Sequence, residues 1–326
     1  MYVLGMGSAH PDTIISNQFL EDLGTGTNAQ WILEKIGIKE RRSVLPLDYI
    51  EKTRNQDPAK AVAAAEYTST DLGIKAAKQA AERAGIQLSE IGMIVVNNCT
   101  PEATIPCEAE RIALELGINC PAYEVFTACP VFALHIDYLS NFKEEALPDY
   151  ILCISTAALT LKVNYNDRTD GAIWGDGAAA WVVSGRKSGK LEVLESFYTA
   201  DPTRCQAVVV DTYGYFHQDG RAVRDFSVRQ TVRLLRKIQK DFEIDWDRDV
   251  FIGHQANKTM LDQICRNRKI PESNHWHNVT YIGNQAGASA PAVIAGHWDQ
   301  IKTGQYVVVA VVGAGLSWGS VVMRAH

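Results

Sequence analysis

The sequence lacks the features that place a protein in a membrane or in an oxidising compartment. It has no stretch near the roughly 18 uninterrupted apolar residues of a membrane-spanning helix, and its start, MYVLGMGSAHPD, lacks the basic and apolar regions of a secretory signal. Its seven cysteines are dispersed and form no Cys-x-x-Cys pair, which favours reduced thiols over a disulfide framework or a thiolate zinc site. We therefore expect a cytoplasmic protein.

Strong charge of one sign is also missing. The 32 Lys and Arg residues and the 38 Asp and Glu residues give a net charge of −6, without a long basic run. This balance argues against nucleic acid or an anionic membrane as the main partner. Hydrophobic residues make up 46% of the 326 residues and charged residues 21%, as in ordinary globular proteins and unlike disordered or fibrous chains. The length fits about two domains or one large duplicated fold.

Short β-rich runs alternate with helical segments, a pattern that is typical of layered α/β proteins. The segment Thr68–Ala84 is predicted to be a capped helix, because polar capping residues precede a helix-forming interior and Gly85 follows it. A composition break at GRKSGK, residues 185–190, divides the chain into halves 1–186 and 187–326. The other predicted elements are helices at Ser227–Phe242 and Asn257–Arg266, and strands at Met93–Val96, Tyr150–Ser155, Ala178–Val183, Ala207–Val210, Val250–Ile252 and Tyr306–Val312.

Cys129 is the candidate nucleophile. It lies in YEVFTACPVFALHIDYL, where a strand-like segment passes through small residues into an apolar, helix-like segment. Pro130 suits a first helical turn, and the positive end of the helix dipole favours the thiolate and lowers the thiol pKa. On this local pattern alone a buried structural cysteine remains the better interpretation, since free cysteines are among the most buried residues.

His254 and Asn284 are the candidate partners of that cysteine. His254 follows a strand-like run in VFIGHQANKTM, and Asn284 stands in NVTYIGNQAGASAP. Together the three residues supply a thiolate, an imidazole and a permanently neutral amide donor, which suits acyl-thioester chemistry. Any chain of this size contains such triples, so their spacing alone does not decide the matter.

Nine segments in order carry a family resemblance, and they span nearly the whole chain. They are WILEKIGIKERR (31–42), TSTDLGIKAAKQAAERAGI (68–86), VVNNCTPEATIP (95–106), the segment around Cys129, RTDGAIWGDGAAAWVV (168–183), FHQDGRAV (216–223), GHQANK (253–258), GNQAGASAP (283–291) and VGAGLSWGS (312–320). On these segments the sequence resembles the β-ketoacyl synthase III group of thiolase-fold condensing enzymes. The resemblance implies a five-layered α-β-α-β-α fold of two pseudo-duplicated halves, in a homodimer.

The resemblance also implies a mechanism. Cys129 would be acylated from an acyl-coenzyme A (acyl-CoA), with the backbone N–H groups of Cys129 and Ala314 forming the oxyanion hole. His254 and Asn284 would then stabilise the enolate of a malonyl thioester, carried by acyl carrier protein (ACP) or by CoA, as carbon dioxide leaves. The product would be a 3-oxoacyl thioester, and no metal or redox cofactor is required.

Substrate-binding residues follow from the same resemblance. Trp31, Lys35 and Arg168 match positions that contact CoA, although the family usually has arginine where this chain has Lys35, which loses bidentate phosphate geometry. Ile105 matches a residue that enters the partner subunit's acyl pocket. Pro130 and Val131 replace smaller family residues, and we expect them to narrow that pocket.

A local basic patch is needed for an acidic carrier protein, because the chain itself is acidic overall. The segment CRNRKI supplies three basic side chains shortly after the GHQANK motif, namely Arg266, Arg268 and Lys269. They are either docking residues or an ordinary solvated helix end.

Two other functions remain open at this level. One is an acyltransferase that moves the Cys129-bound acyl group to an oxygen or nitrogen nucleophile, and the other is a quiet subunit of a heterodimeric synthase. A thiolase is disfavoured, because no cysteine follows Cys265.

Glu102 is either a base, as in relatives that join two long acyl chains, or a structural loop residue. The HWH segment, His275 to His277, is predicted to be a surface loop rather than a metal site, since no third ligand is evident.

Overall fold

The computed structural model describes residues 1–168 and 170–326, so Thr169 of the predicted motif at residues 168–183 lies outside the described residues. The strands are β1 (Tyr2–Ala9), β2 (Thr13–Ser16), β3 (Glu40–Ser43), β4 (Met93–Asn98), β5 (Ala122–Glu124), β6 (Ile151–Ala157), β7 (Gly177–Ser184), β8 (Leu191–Ala200), β9 (Val208–Val210), β10 (Phe216–Gln218), β11 (Val250–Gly253), β12 (Tyr306–Gly313) and β13 (Ser317–Ala325). The helices are α1 (Asn17–Asp22), α2 (Ala29–Lys35), α3 (Leu47–Thr53), α4 (Pro58–Ala64), α5 (Ser69–Ala84), α6 (Glu108–Leu116), α7 (Val131–Ser140), α8 (Gly220–Asp241), α9 (Lys258–Arg268), α10 (Val279–Ile282) and α11 (Ser289–Gly296). Among the described helices, none is both long enough and apolar enough to cross a bilayer.

One sheet topology occurs twice in the chain. The strands of the first half lie in the order β5-β4-β6-β7-β1, and those of the second half in the order β11-β12-β13-β8. Strands β2 and β3, and strands β9 and β10, form separate two-stranded sheets and are left out of the count. In the first half β4 pairs in parallel with β6, and β7 is antiparallel to its neighbours β6 and β1. In the second half β11 likewise pairs in parallel with β12, and β13 is antiparallel to its neighbours β12 and β8. The third strand of the second half is reduced to a single parallel bridge between Phe251 and His275. The predicted duplication is therefore present in the topology, and the predicted boundary at residues 186 and 187 falls in the connection from β7 to β8.

Five layers follow from the packing of the helices on these strands. Helix α5 packs on β1, β6 and β7 from one outer side, and α8 packs on β12 and β13 from the other. Helices α7 and α11 lie between the two parts of the sheet, because α7 contacts β8 and β13 while α11 contacts β1, β7 and β11. The central core therefore combines side chains of both halves, such as Phe132, Trp181 and Val309. The expected five-layered α-β-α-β-α fold is confirmed.

Helix boundaries follow the capping residues. Helix α5 begins after Thr68, whose hydroxyl accepts the Asp71 N–H at 3.1 Å, and it ends at Gly85 in the left-handed conformation with φ 69°, as the capping pattern predicts. Helix α8 begins at Gly220, earlier than predicted, because the Asp219 carboxylate accepts the Ala222 N–H at 3.1 Å and caps the helix there.

The sequence pattern does not predict three long strands of the sheet, β1, β8 and β13, and for β1 the structure gives the reason. Its glycines make it look unlike a strand, yet β1 pairs with β7 on one side and with β8 on the other. Helix α5 explains the glycines, because a Cβ on Gly5 would lie 2.3 Å from the Ala80 carbonyl oxygen, and one on Gly7 would lie 2.1 Å from that of Ala76. Only glycine lets the helix backbone approach the strand this closely.

Gly5→Ala is expected to destabilise the protein by about 1–3 kcal/mol or more, the usual cost of overpacking a rigid core. Gly220→Ala is the matched control, since a Cβ there meets no heavy atom within 4 Å. Urea unfolding followed by circular dichroism measures both variants. Equal stability of the two variants would contradict this explanation of the glycines in β1.

Candidate active site

Cys129 occupies a sharp turn between β5 and α7. Ala128 precedes it with φ 44°, in the left-handed region that non-glycine residues seldom adopt. Pro130 caps the following helix, as predicted for the first helical turn. Thr127 holds the turn in place, because its N–H donates to Asn97 Oδ1 at 3.1 Å and its hydroxyl lies 2.5 Å from Tyr198 Oη. The nucleophile candidate is thus fixed by residues from β4 and β8.

The Cys129 thiol lies in a buried environment. Burial, together with the neighbouring Cys99 thiol, raises the pKa of Cys129 to about 12, although the backbone N–H groups of Ala314 and Cys129 lower it in part. The expectation of a lowered thiol pKa is therefore wrong for the resting site, because desolvation of the thiolate outweighs the helix terminus. The same two N–H groups are those predicted for the oxyanion hole.

A cavity of about 820 Å³ opens at Cys129. Its walls are largely apolar and include Leu159, Leu161, Trp174, Val208 and Phe216. Glu102 and Arg111 also line the cavity and form an ion pair at 2.9 Å. The Glu102 carboxylate accepts a further hydrogen bond from the Thr70 N–H at 3.4 Å. The cavity is therefore a largely apolar chamber whose wall also carries charged side chains, namely the Glu102–Arg111 pair, Asp57, Lys162 and Asp211.

His254 and Asn284 are both nearly buried, with 9% and 3% of their surface exposed. Burial lowers the pKa of His254 to about 4, so the imidazole is neutral at neutral pH. The Asn284 backbone is held on both sides, as its N–H donates to the Ile173 carbonyl and its carbonyl accepts from Gly175, each at 3.0 Å. Its Oδ1 accepts the Ala286 N–H at 2.9 Å. Within the described residues, neither the His254 ring nor Asn284 Nδ2 has a hydrogen-bond partner.

The topology brings these residues to one edge of the sheet. β11 and β12 run parallel, with Gly253 opposite Ala310, so His254 after β11 and Ala314 after β12 lie beyond the same strand ends. Asn284 forms a parallel bridge with Trp174, a residue of the cavity wall. His254 and Asn284 do not line the cavity themselves. They stand beside it with their polar groups unpaired.

The chain matches a family of known proteins. Residues 123–202 match the model of the 3-oxoacyl-[acyl-carrier-protein] synthase III family and residues 243–325 match its C-terminal model, half of the chain together. The β-ketoacyl-[acyl-carrier-protein] synthase III of Sphingopyxis alaskensis is 29% identical, over 98% of this chain and 97% of that protein. The chain belongs to this family. It is a ketoacyl synthase III-type condensing enzyme.

Solved structures of the family agree with the fold. The crystal structure of 3-oxoacyl-[acyl-carrier-protein] synthase III from Aquifex aeolicus superposes with a TM-score of 0.87 at 26% identity, covering 99% of both chains. The Thermus thermophilus structure gives a TM-score of 0.84 at 25% identity, covering 100% of this chain and 99% of that one.

Gln285 directly follows Asn284 and does not line the cavity. It is fully buried, and its Nε2 lies 2.6 Å from His10 Nδ1 and donates to the Asp176 carbonyl at 3.0 Å. Its backbone N–H donates to Ser289 Oγ at 2.8 Å. Gln285 therefore anchors the segment that follows Asn284 to β1 and β7.

Two of the predicted pocket residues are placed wrongly. Pro130 and Val131 are buried and do not line the cavity. They pack behind the nucleophile, because a Cβ on Gly313 would lie 2.6 Å from Pro130 Cδ and one on Gly287 would lie 2.7 Å from Val131 Cγ1. Ile105 is 84% exposed and lies outside the cavity of its own chain, so its entry into a partner's pocket stays a prediction.

Two of the three residues predicted to bind CoA are in contact at the surface. The Arg168 guanidinium carbon lies 5.7 Å from the centre of the Trp31 ring, and Arg168 Nη1 donates to the Gly26 carbonyl at 2.9 Å. Lys35 is exposed at the end of α2, one turn from Trp31 on the same face.

The predicted docking residues lie at the far end of α9 from His254. Arg266 and Lys269 are exposed, while Arg268 Nη2 donates to Gln239 Oε1 at 2.5 Å. Because α9 has eleven residues, it is about 16 Å long, and its length separates the three basic residues from the sheet edge at His254.

Helix α8 exposes a basic stripe beside these residues. The sequence analysis missed it, although its basic residues recur at i, i+4 and i+7. We call Arg229, Arg233, Arg236 and Lys240 the α8 stripe.

The raised pKa of Cys129 predicts how the thiol reacts with iodoacetamide. Because only the thiolate reacts, the alkylation rate should rise about tenfold per pH unit from pH 7 to 10 without a plateau. Peptide mass spectrometry measures the modification of Cys129, with the exposed Cys205 as an internal control. A plateau below about pH 8 would show instead that the helix terminus lowers the pKa of Cys129 by more than burial raises it.

Proposed function

We propose that the enzyme accepts an acyl group from acyl-CoA on Cys129 and joins it to a malonyl thioester with loss of carbon dioxide. The observation that carries the proposal is the pairing of a buried thiol under two backbone N–H groups with a neutral His254 and an unpaired Asn284 amide at one sheet edge. This set holds both an acyl-transfer site and donors for an enolate oxygen.

In the loading step, the Cys129 sulfur attacks the acyl thioester carbonyl. The N–H groups of Cys129 and Ala314, which point at the sulfur, stabilise the negative oxygen of the tetrahedral intermediate. The carbon–sulfur bond to CoA then breaks, and the departing CoA sulfur takes the proton that Cys129 loses. The apolar cavity removes water from the acyl-enzyme, which protects it from hydrolysis.

In the condensation step, the malonyl carbonyl oxygen accepts hydrogen bonds from His254 and Asn284 Nδ2. The bond to the carboxylate breaks, carbon dioxide leaves, and the enolate carbon attacks the acyl carbonyl on Cys129. Collapse of that intermediate releases a 3-oxoacyl thioester, and the Cys129 thiolate takes up a proton. His254 remains a donor rather than a cation because its pKa is lowered to about 4 by burial. Each step uses only protein groups and two thioesters, so the proposal requires no metal or redox cofactor.

The substrates enter from the surface that carries Trp31, Lys35 and Arg168. Trp31 offers an aromatic face with a guanidinium nearby, which suits an adenine ring, and Lys35 offers a charge for a phosphate. A homodimer belongs to the same proposal, in which the exposed Ile105 enters the partner subunit's acyl pocket as the family resemblance implies. Cytoplasmic residence belongs to the same proposal.

The decisive test separates loading from condensation. Intact-protein mass spectrometry with an acyl-CoA panel from acetyl to dodecanoyl should show a mass gain in the wild type and none in Cys129→Ala. A malonyl-ACP chase should then discharge the acyl group with release of carbon dioxide. In Asn284→Ala, loading should persist while the chase slows by at least about a hundredfold, the usual effect of losing an oxyanion donor.

The controls distinguish the alternatives. His217→Ala changes an exposed histidine and should leave both steps unchanged. Discharge by an alcohol or amine instead of the malonyl chase would replace the proposal with acyl transfer. Absence of loading from every donor would support a quiet subunit of a heterodimer.

Carrier-protein docking is assigned to the α8 stripe together with Arg266, Arg268 and Lys269. Within the described part of the chain, no residue of the stripe forms an ion pair, so its charge is free to attract an acidic partner. Arg233→Glu combined with Arg236→Glu should raise KM for malonyl-ACP by about tenfold or more and leave malonyl-CoA turnover unchanged.

The matched control reverses a charge on the opposite outer layer. Lys78→Glu changes an exposed residue of α5 and should leave KM for malonyl-ACP near the wild-type value. Steady-state kinetics at low ionic strength measures all three proteins. An equal rise in KM for malonyl-ACP and malonyl-CoA would contradict the proposal that the α8 stripe binds the carrier protein.

A further inference from the structure

The HWH segment is not the surface loop that the sequence predicts. His275 is only 2% exposed, and its ring stacks on Phe251 at 5.6 Å between ring centres. The His277 ring lies 5.1 Å from it. The third ligand that the sequence did not reveal is Glu272, in the turn after α9. One potential ligand atom from each of Glu272, His275 and His277 lies within 4.8 Å of the others.

The two imidazoles are buried without hydrogen-bond partners. Both ring nitrogens of His275 and the Nδ1 of His277 have no partner among the described residues. An unpaired buried polar atom costs about 1–3 kcal/mol, so three of them on adjacent rings need a common partner. Of the four ring nitrogens of His275 and His277, only His277 Nε2 has a hydrogen-bond partner among the described residues, Glu272 Oε1 at 3.3 Å. A ligand that accepts electron pairs from all three side chains would remove the cost.

The charges around the cluster suit a cation. The Glu272 carboxylate supplies a negative charge, and each neutral imidazole supplies a free electron pair. Lys258 lies 3.0 Å from Glu272 Oε1, but it also pairs with Asp262 on its own helix. Lys258 can therefore remain with Asp262 while the Glu272 carboxylate, which is 68% exposed, turns to a metal ion.

We propose that Glu272, His275 and His277 bind a divalent transition-metal ion, with Zn²⁺ as the best fit. Two imidazole nitrogens and one carboxylate oxygen are a ligand set for tetrahedral Zn²⁺ with water in the fourth position. Imidazole ligands also bind copper and nickel, and they select against magnesium and calcium, which prefer oxygen. Within the described residues, this is the only such group of three side chains.

The position of the site in the fold indicates a structural role. His275 occupies the place of the missing third strand beside β11, and the next residues lead through α10 to Asn284. Gln255, which follows His254, accepts the Asn278 N–H at 3.1 Å with its side chain. A metal ion at the site therefore ties Glu272, in the turn after α9, to His275 beside β11 and to His277.

The test uses the full-length protein, stripped with a chelator, and the metal alone. Isothermal titration with Zn²⁺ is expected to show one site per chain, and Co²⁺ should give the absorption spectrum of a four-coordinate site. Glu272→Gln and His277→Gln should each weaken Zn²⁺ binding by at least about tenfold, since even outer-shell partners of a metal are worth 10- to 100-fold. Zn²⁺ should also raise the Tm of the wild type and not of the variants.

The matched control is His326→Gln. His326 pairs with Glu192 at 2.9 Å but is not part of a group of three, and its loss should leave Zn²⁺ binding unchanged. Circular dichroism confirms that each variant folds, and the exposed Glu272 provides a ligand whose replacement leaves the core intact. The proposal is overturned if the wild type binds no Zn²⁺ at micromolar concentrations, or if binding survives in both ligand variants.

Discussion

The antiparallel pairing of β1 with β8 joins the two halves, and the active site depends on it. Only Tyr2 and Val3 of β1 pair with β8, whereas β1 pairs with β7 from Tyr2 to Ala9. This narrow junction sets the sheet edge of one half beside that of the other, with α7 and α11 packed between them. Cys129 of the first half then lies against Gly313 of the second, at the sheet edge where His254 follows β11 and Ala314 follows β12.

Burial is the second constraint, and it acts in opposite directions on the two titratable candidates. It raises the pKa of Cys129 to about 12 and lowers the pKa of His254 to about 4, so both groups are neutral at rest. A neutral Cys129 and a neutral His254 avoid the cost of keeping an unpaired charge buried before a substrate binds. The backbone N–H groups at Ala314 and Cys129 then stabilise charge only when the reaction creates it.

Local signals predicted much of the fold, since capping and alternation act within a few residues. They placed the α5 boundaries and the strands β4, β6, β7, β9, β11 and β12, but not β8 or β13. They missed β1, whose Gly5 and Gly7 are explained only by the approach of the α5 backbone. They also placed Pro130 and Val131 on the pocket wall, because sequence neighbourhood does not tell which side of a turn faces a cavity.

The sequence by itself determined the family, and it predicted the nucleophile and its two partners, because those residues are embedded in local motifs. The tertiary structure alone decided which groups are desolvated and which distant side chains meet. It placed the Glu102–Arg111 pair in the cavity wall and brought Glu272 to the buried His275. The physical reason is that pKa values, cavity walls and ligand sets depend on packing between elements that are far apart along the chain.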